Sequence, residues 1–522
     1  MTSTTVGNLD SEVPALASGG LYEGENLKTT ALSRSNKRIL HLDANDFYGE
    51  NEAALSLQEA DAWAQAHTSE TGPAGAGEDT SVTTPALSET RSAIFGNAHV
   101  SRHPEADAKG LSFPRAYSLA LAPQIIHTKS KLLSQLVSSK AYRQVEFLAV
   151  GSFFVYGEAD AASGTRLVRI PSSREDVFSA RSIPARSKRA LMKFLKFVID
   201  YDSEEQQPVW QQQADKSLSE FLVDDFKLDK NLRDSILAMT LTLDGKITVK
   251  DGLATIHRHL TSIGLFGPGF CAVYPKWGGI SEIAQVGCRA GAVGGSTYML
   301  NTPMTMSEPD ASDEITLKLS SDVSIRTTTL VTSQQIRSPT SQTVSRLVAV
   351  VNAPVQSLFE TSVEGAPTPA VVVVAFPSES LQEASEPGSS GPIYAFVHSS
   401  DTGECPAGQS VIYLTMQTTP QSSHHLELAL TALLQATTDG TDVLYKLYYE
   451  QATSSRHPLT TPQGSATVFE FPSPSLSLAF DDGSLDAVQE AWKVVMKDEA
   501  AENAFMQFED REGMGNDDDD YD

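Results

Sequence analysis

The sequence predicts a mixed α/β domain interrupted by an all-helical one. Beyond residue 304 it turns alternating and β-branched: "EITLKLSSDVSIRTTTLVTS", "VSRLVAVVNAP", "PAVVVVAF", "PIYAFVHS" and "SVIYLTM" read as strands. Residues 170–267 read as helices, with "VEFLAVGSFFVY" as a strand before them. Strands on both sides of a helical block make that block an insertion in a β-rich unit.

In chain order, residues 1–30 are polar and Gly/Ser-rich without apolar period, and are expected to be disordered. "ALSRSNKRILHLDANDFYG" predicts a helix end, a break at Ser35 to Lys37, and a short strand Arg38 to Leu42 closing on Asp43. A strand-end acid can hold a ribose hydroxyl in a dinucleotide site, but no apolar strand with G-x-G-x-x-G precedes it, so a turn residue is the favoured reading. Residues 64–110, rich in Ser, Thr, Gly, Pro and Ala, read as a low-complexity surface insertion. In "PQIIHTKSKLLSQLVSSKAY", Ile125, Lys129, Leu132, Leu133 and Leu136 fall at helical spacing. Within the helical block, Leu191, Phe194, Leu195 and Val198 form one stripe, with Arg186, Lys188, Arg189 and Lys193 in its first turns. The expected organisation is a first domain over 31–169 and 268–480, a helical second domain over 170–267, and a C-terminal helix with an acidic tail over 481–522.

Composition removes several classes of function. The 522-residue chain, 40% hydrophobic, is long enough for roughly two to four domains. A formal charge of −27 argues against nucleic-acid binding and a polybasic membrane surface. Cys271, Cys288 and Cys405 have neither disulfide nor metal-ligand spacing, so a cytoplasmic, reducing setting is expected. No signal-peptide pattern opens the sequence, and its longest apolar run, "AVVVVAF", is too short to span a bilayer. Phosphate-loop, zinc-helix and nucleophile-elbow motifs are absent from the sequence. His257 and His259, two apart on a helix, and the adjacent His424 and His425 are poorly spaced for a metal. Arg289 could lower the thiol pKa of Cys288, but no histidine base is near in sequence, so an ordinary buried cysteine is favoured.

What remains is a glycine-dense stretch, "YPKWGGISEIAQVGCRAGAVGGSTYMLN". With "LHLDANDFYG", "RAYSLALAPQIIHTKSKLLSQLVSSKAYRQVEFLAVGSFFVY" and "IPSSREDVFSARSIPARSKRALMKFLKFVIDY", it resembles the Rab escort protein and Rab GDP-dissociation inhibitor superfamily, more the escort branch and its fungal members. The match is dense over residues 30–62 and 113–303. The resemblance implies a GDI-like fold, similar to flavoprotein monooxygenases: a mixed-sheet domain I with an inserted all-helical domain II, and no flavin chemistry. It further implies a Rab-binding platform at Tyr48, Glu282, Arg289 and Tyr298. Glu282 and Arg289, seven residues apart, can share one helix face, although an internal pair or cap would fit the same spacing. The pairs Gly278-Gly279 and Gly294-Gly295 would allow close packing and stop the helix.

The implied role is non-catalytic and needs no cofactor or metal. It is to bind GDP-form, unprenylated Rab GTPases, present them to the Rab geranylgeranyltransferase alpha/beta heterodimer, shield the geranylgeranyl lipid, and touch membranes transiently on delivery. The transferase would dock on the helical block, with "SEFLVDDFKLDKNLRD" as the candidate segment, and no nucleic acid is involved. Recycling of already lipidated Rabs is the alternative, with a flavin-dependent oxidoreductase behind it. One departure stands out: "VGNLDSEVPALASGGLYEGENLK" occupies the place of the family's apolar first strand without resembling it. The central strand of the parallel sheet is therefore expected to be missing, with a misplaced exon boundary as the favoured cause.

Overall fold

The protein is described by a computed structural model over residues 15–18, 31–32, 37–47, 49–68, 94–157, 166–171, 174–179, 183–306, 314–319, 323–333, 342–361, 364–378, 380–381, 391–453, 458–463, 466–473, 475–497 and 505–508. Tyr48, the break at Ser35, the rest of 1–30, residues 69–93 and the acidic tail beyond 508 lie outside the described residues.

A ten-stranded sheet organises the molecule. Its order is Phe95–Arg102, Val443–Thr453, Gln342–Val351, Ser410–Gln417, Ile393–Ser399, Val371–Phe376, Phe147–Tyr156, Ala272–Pro275 and Ile126–His127, with Leu167–Arg169 paired off the Phe147 strand. Alternation along each strand separates two cores. Leu347, Ala349, Val372 and Val374 pack with Leu426, Leu430 and Leu433 of the helix Ser422–Thr437. Val348, Val350, Val371 and Val373 belong instead to the core shared with the helical block. Both faces are therefore covered, which explains the unbroken apolar run of Val371–Phe376, buried throughout.

The helical block comprises Arg174–Ser179, Ala185–Ile199, Gln207–Trp210, Leu218–Asp224, Lys230–Thr240 and Val249–Ser262. Asp229 caps Lys230–Thr240 through the Leu232 amide, and Thr248 caps Val249–Ser262 through the Asp251 amide. Its centre is aromatic: Phe194 and Phe197 both lie 5.1 Å, ring to ring, from Phe226, and Phe221 lies 5.5 Å from it. Among the described residues no helix is long and apolar enough to cross a membrane.

A six-stranded sheet runs Thr297–Met299, Ile39–Leu42, Ala15–Ser18, Thr329–Ser333, Ala466–Phe471 and Leu459–Gln463, parallel up to the antiparallel last strand. Two sequence expectations are corrected here. The central strand is present: Ala15–Ser18 pairs in parallel with Ile39–Leu42 on one side and Thr329–Ser333 on the other, so this part of 1–30 is structured. Its four residues, "ALAS", hold one bulky side chain, Leu16, and so do not read as an apolar strand, because pairing here is a backbone property. Likewise, residues 64–110 are not all insertion: Phe95–Arg102 is an edge strand of the large sheet, burying Phe95 and Ala98. The predicted helix reaching back to Ile125 is also shortened, since Ile126–His127 is a strand and the helix begins at Lys131, capped by Ser130.

Candidate functional site

The helix Ile280–Val293 carries two of the four expected platform residues. It buries Ile280, Ile283, Ala284, Val286, Gly287, Cys288, Ala290 and Gly291 against the sheets. This leaves Gln285, Arg289 and Val293 exposed and Glu282 half-buried, at the three- and four-residue spacing of one helical face. Gln285 Nε2 donates to Glu282 Oε1 at 3.2 Å, and Arg289 Nη1 donates to Gln144 Oε1 at 3.5 Å. Among the described residues no ion pair joins Glu282 to Arg289, so the guanidinium remains largely presented to solvent. Partial burial raises the Glu282 carboxyl pKa, with Arg289 opposing as the smaller influence.

The helix stop is built as a turn that needs a left-handed residue. Ser296 N–H donates to Gly291 O at 3.0 Å and Gly295 N–H to Ala292 O at 2.9 Å, the paired bonds of a Schellman motif. Gly295 supplies the positive φ of 97°, whereas Gly294 stays right-handed at φ −75°. Gly295→Val is therefore expected to lower stability by about 1–2 kcal/mol through backbone strain alone, since a Cβ there meets open space. Urea unfolding measures it, and a variant as stable as the wild type would contradict this cap assignment.

Past the stop, the strand Thr297–Met299 lies beside Ile39–Leu42, with Tyr298 opposite His41. Alternation turns Tyr298 inward: its hydroxyl is buried, and its ring sits 5.3 Å from that of His41. The neighbouring Thr297 and Met299 face solvent, and the sequence reading did not single them out. Burial pushes the Cys288 thiol up to about 12, the opposite of activation by Arg289. Asp43 is buried as a turn residue, its Oδ1 accepting from the Asn45 amide at 2.7 Å. His257 lies 3.1 Å from Val198 O through Nδ1, and His259 is buried apart from it.

Beneath the loop that opens the platform helix lies a buried polar cluster with no sequence signal. Tyr274 O–H donates to Glu404 Oε1 at 2.7 Å, Tyr413 O–H donates to Oε2 at 2.9 Å, and His398 Nδ1 lies 2.7 Å from Oε2. Gly278 and Gly279 let the loop close over it: a Cβ on Gly279 would sit 2.5 Å from the Tyr274 hydroxyl, and one on Gly278 2.5 Å from Ala54 Cβ. Burial first, then the Glu404 charge, raise the hydroxyl pKa of Tyr274 and Tyr413 well above the usual phenol range.

Comparison with known proteins bears on this arrangement. Residues 90–433 match the family model described as GDP dissociation inhibitor. The Rab proteins geranylgeranyltransferase component A of Saccharomyces cerevisiae is 28% identical over 421 residues, which cover 79% of this chain and 63% of that protein. Its Candida albicans counterpart is 27% identical over 399 residues, covering 74% and 56%. The chain thus spans less than two thirds of the length of these two relatives. Among solved structures, a Rab GDI from Plasmodium falciparum superposes with a TM-score of 0.62 at 17% identity, over 92% of this chain and 98% of that one, a likeness of fold.

Proposed function

The chain belongs to the GDP dissociation inhibitor family, and from that premise we propose that it is an escort for small GTPases of the Rab class. In this reading it binds the GDP form before prenylation and presents the GTPase to the Rab geranylgeranyltransferase alpha/beta heterodimer. It then keeps the lipidated product soluble and releases it at a membrane, acting from the cytoplasm as a non-catalytic accessory component. The names of the two yeast relatives support the escort role over recycling of lipidated Rabs. The observation that carries the binding role is the face of Ile280–Val293, where Arg289 stands exposed above a fully packed helix side.

Shielding the lipid has a clear physical basis, since burying a C20 chain gains about 0.8 kcal/mol per methylene. The helical block is the proposed host. Its Phe194, Phe197, Phe221 and Phe226 already pack on one another, so the lipid would enter by displacing rings from this cluster.

Arg289→Ala should weaken binding of GDP-loaded, unprenylated Rab more than tenfold, about 1.5–3 kcal/mol, with unchanged melting. Calorimetric titration measures the first and thermal unfolding the second. Wild-type affinity in the folded variant would remove Arg289 from the platform. Promotion of geranylgeranyl transfer by the wild-type protein separates an escort from a recycling inhibitor.

A further inference from the structure

Resting on that Rab-binding reading, we propose that Trp277 is an aromatic anchor for the GTPase, extending the platform beyond the helix Ile280–Val293. The chain has four tryptophans, Trp63, Trp210, Trp277 and Trp492. Three are buried, while Trp277 is 53% exposed. Its backbone is in the left-handed region at φ 76°, a conformation that bulky side chains resist and that persists only where the surroundings impose it.

The surroundings do impose it. Trp277 N–H donates to Thr402 O at 2.8 Å, and Ser118 Oγ donates to Trp277 O at 2.7 Å. The indole lies flush on Gly403, where a Cβ would come within 2.2 Å of the ring. One residue further, Glu404 is tied to Tyr274, Tyr413 and His398. A rigid buried frame thus holds a large apolar ring out in water, the reverse of what stability alone would select.

The ring is continuous with the platform. Lys276 holds its ammonium 5.0 Å from the indole centroid and pairs with Glu146 at 3.0 Å. Two residues before Glu146, Gln144 contacts Arg289. The segment Gln144–Glu146 therefore links the Lys276 ammonium beside the indole to the Arg289 guanidinium. A rigidly held aromatic ring beside Lys276, connected through Glu146 and Gln144 to Arg289, has the make-up of a protein-binding hot spot, an apolar centre with a polar rim. The mixed signs of charge, on a chain of net −27, suit a protein partner better than an anionic lipid surface.

The test uses the full chain, a GDP-loaded unprenylated Rab, and vesicles of phosphatidylcholine and phosphatidylserine. Trp277→Ala should weaken Rab binding at least tenfold by calorimetry with unchanged melting, and Trp277→Phe should recover most of the affinity. In protein labelled with 5-fluorotryptophan, the fluorine resonance missing from Trp277→Phe should be the one that shifts on adding the GTPase. An alanine variant within twofold of wild type, beside a weakened Arg289→Ala, overturns the anchor and leaves the escort reading standing. Loss of vesicle binding with Rab affinity intact overturns it in favour of a membrane contact. No Rab binding by the wild type overturns the escort reading and the anchor together.

Discussion

Glu404→Ala should destabilise the protein by about 3–5 kcal/mol, among the larger losses available to one side chain in this fold. The carboxyl is fully buried and takes contacts from Tyr274, Tyr413 and His398, each of them buried as well. Removing it leaves two phenol hydroxyls and an imidazole nitrogen without their partner, at about 1–3 kcal/mol for each group stranded. Glu404→Gln keeps the volume and one accepting oxygen, so it should lose less than half as much. Urea midpoints for the two variants measure both values. A Glu404→Ala loss below about 1 kcal/mol would show that the cluster relaxes or hydrates on truncation. Because Glu404 follows Thr402 and Gly403, which brace Trp277, the alanine variant should also release that loop.

This cluster shows where sequence reasoning stops. Tyr274, His398, Glu404 and Tyr413 lie up to 139 positions apart and meet only because the strands Ala272–Pro275, Ile393–Ser399 and Ser410–Gln417 share one sheet. No local pattern marks them. By contrast, that Glu282 and Arg289 can share a helix face was legible because seven residues are two helical turns, while only the family resemblance marked them as a platform; burial of Ile283, Val286 and Ala290 fixes which side they face. Tyr298 was legible as a position but not as an orientation, since strand alternation turned its hydroxyl inward and left Met299 outside. Phe95–Arg102 was lost in a Ser/Thr/Gly-rich window because its apolar residues, Phe95, Ala98 and Val100, are few and break strict alternation. Ala15–Ser18 carries a single bulky residue, Leu16, too little for an apolar run, and its place is declared by backbone pairing.

The second large effect is a loss of stability on acidification, centred where the helical block meets the sheet. His259, on the helix Val249–Ser262, is buried with its ring 4.9 Å from that of Phe153 and its Nδ1 3.7 Å from Cys271 Sγ. Burial, then the Arg258 charge, lower its pKa to about 4. His127, 5.8 Å from it ring to ring, is buried too, and burial followed by His259 and Arg258 lowers its pKa well below the usual imidazole value. The unfolded chain takes up these protons near pH 6.5, whereas folded His259 refuses its proton until about pH 4. The contribution is therefore complete above pH 6.5 and is lost as pH falls through that window, on the order of 3 kcal/mol for His259 by pH 4. Acidification also relieves self-repulsion in a chain of net −27, which acts in the opposite direction, so the readout must be a difference. His259→Phe keeps an aromatic ring against Phe153 and removes the titration. Its urea midpoint should fall less than that of the wild type between pH 7 and pH 4.5, and parallel pH profiles for the two proteins would show that His259 reaches water in the native state.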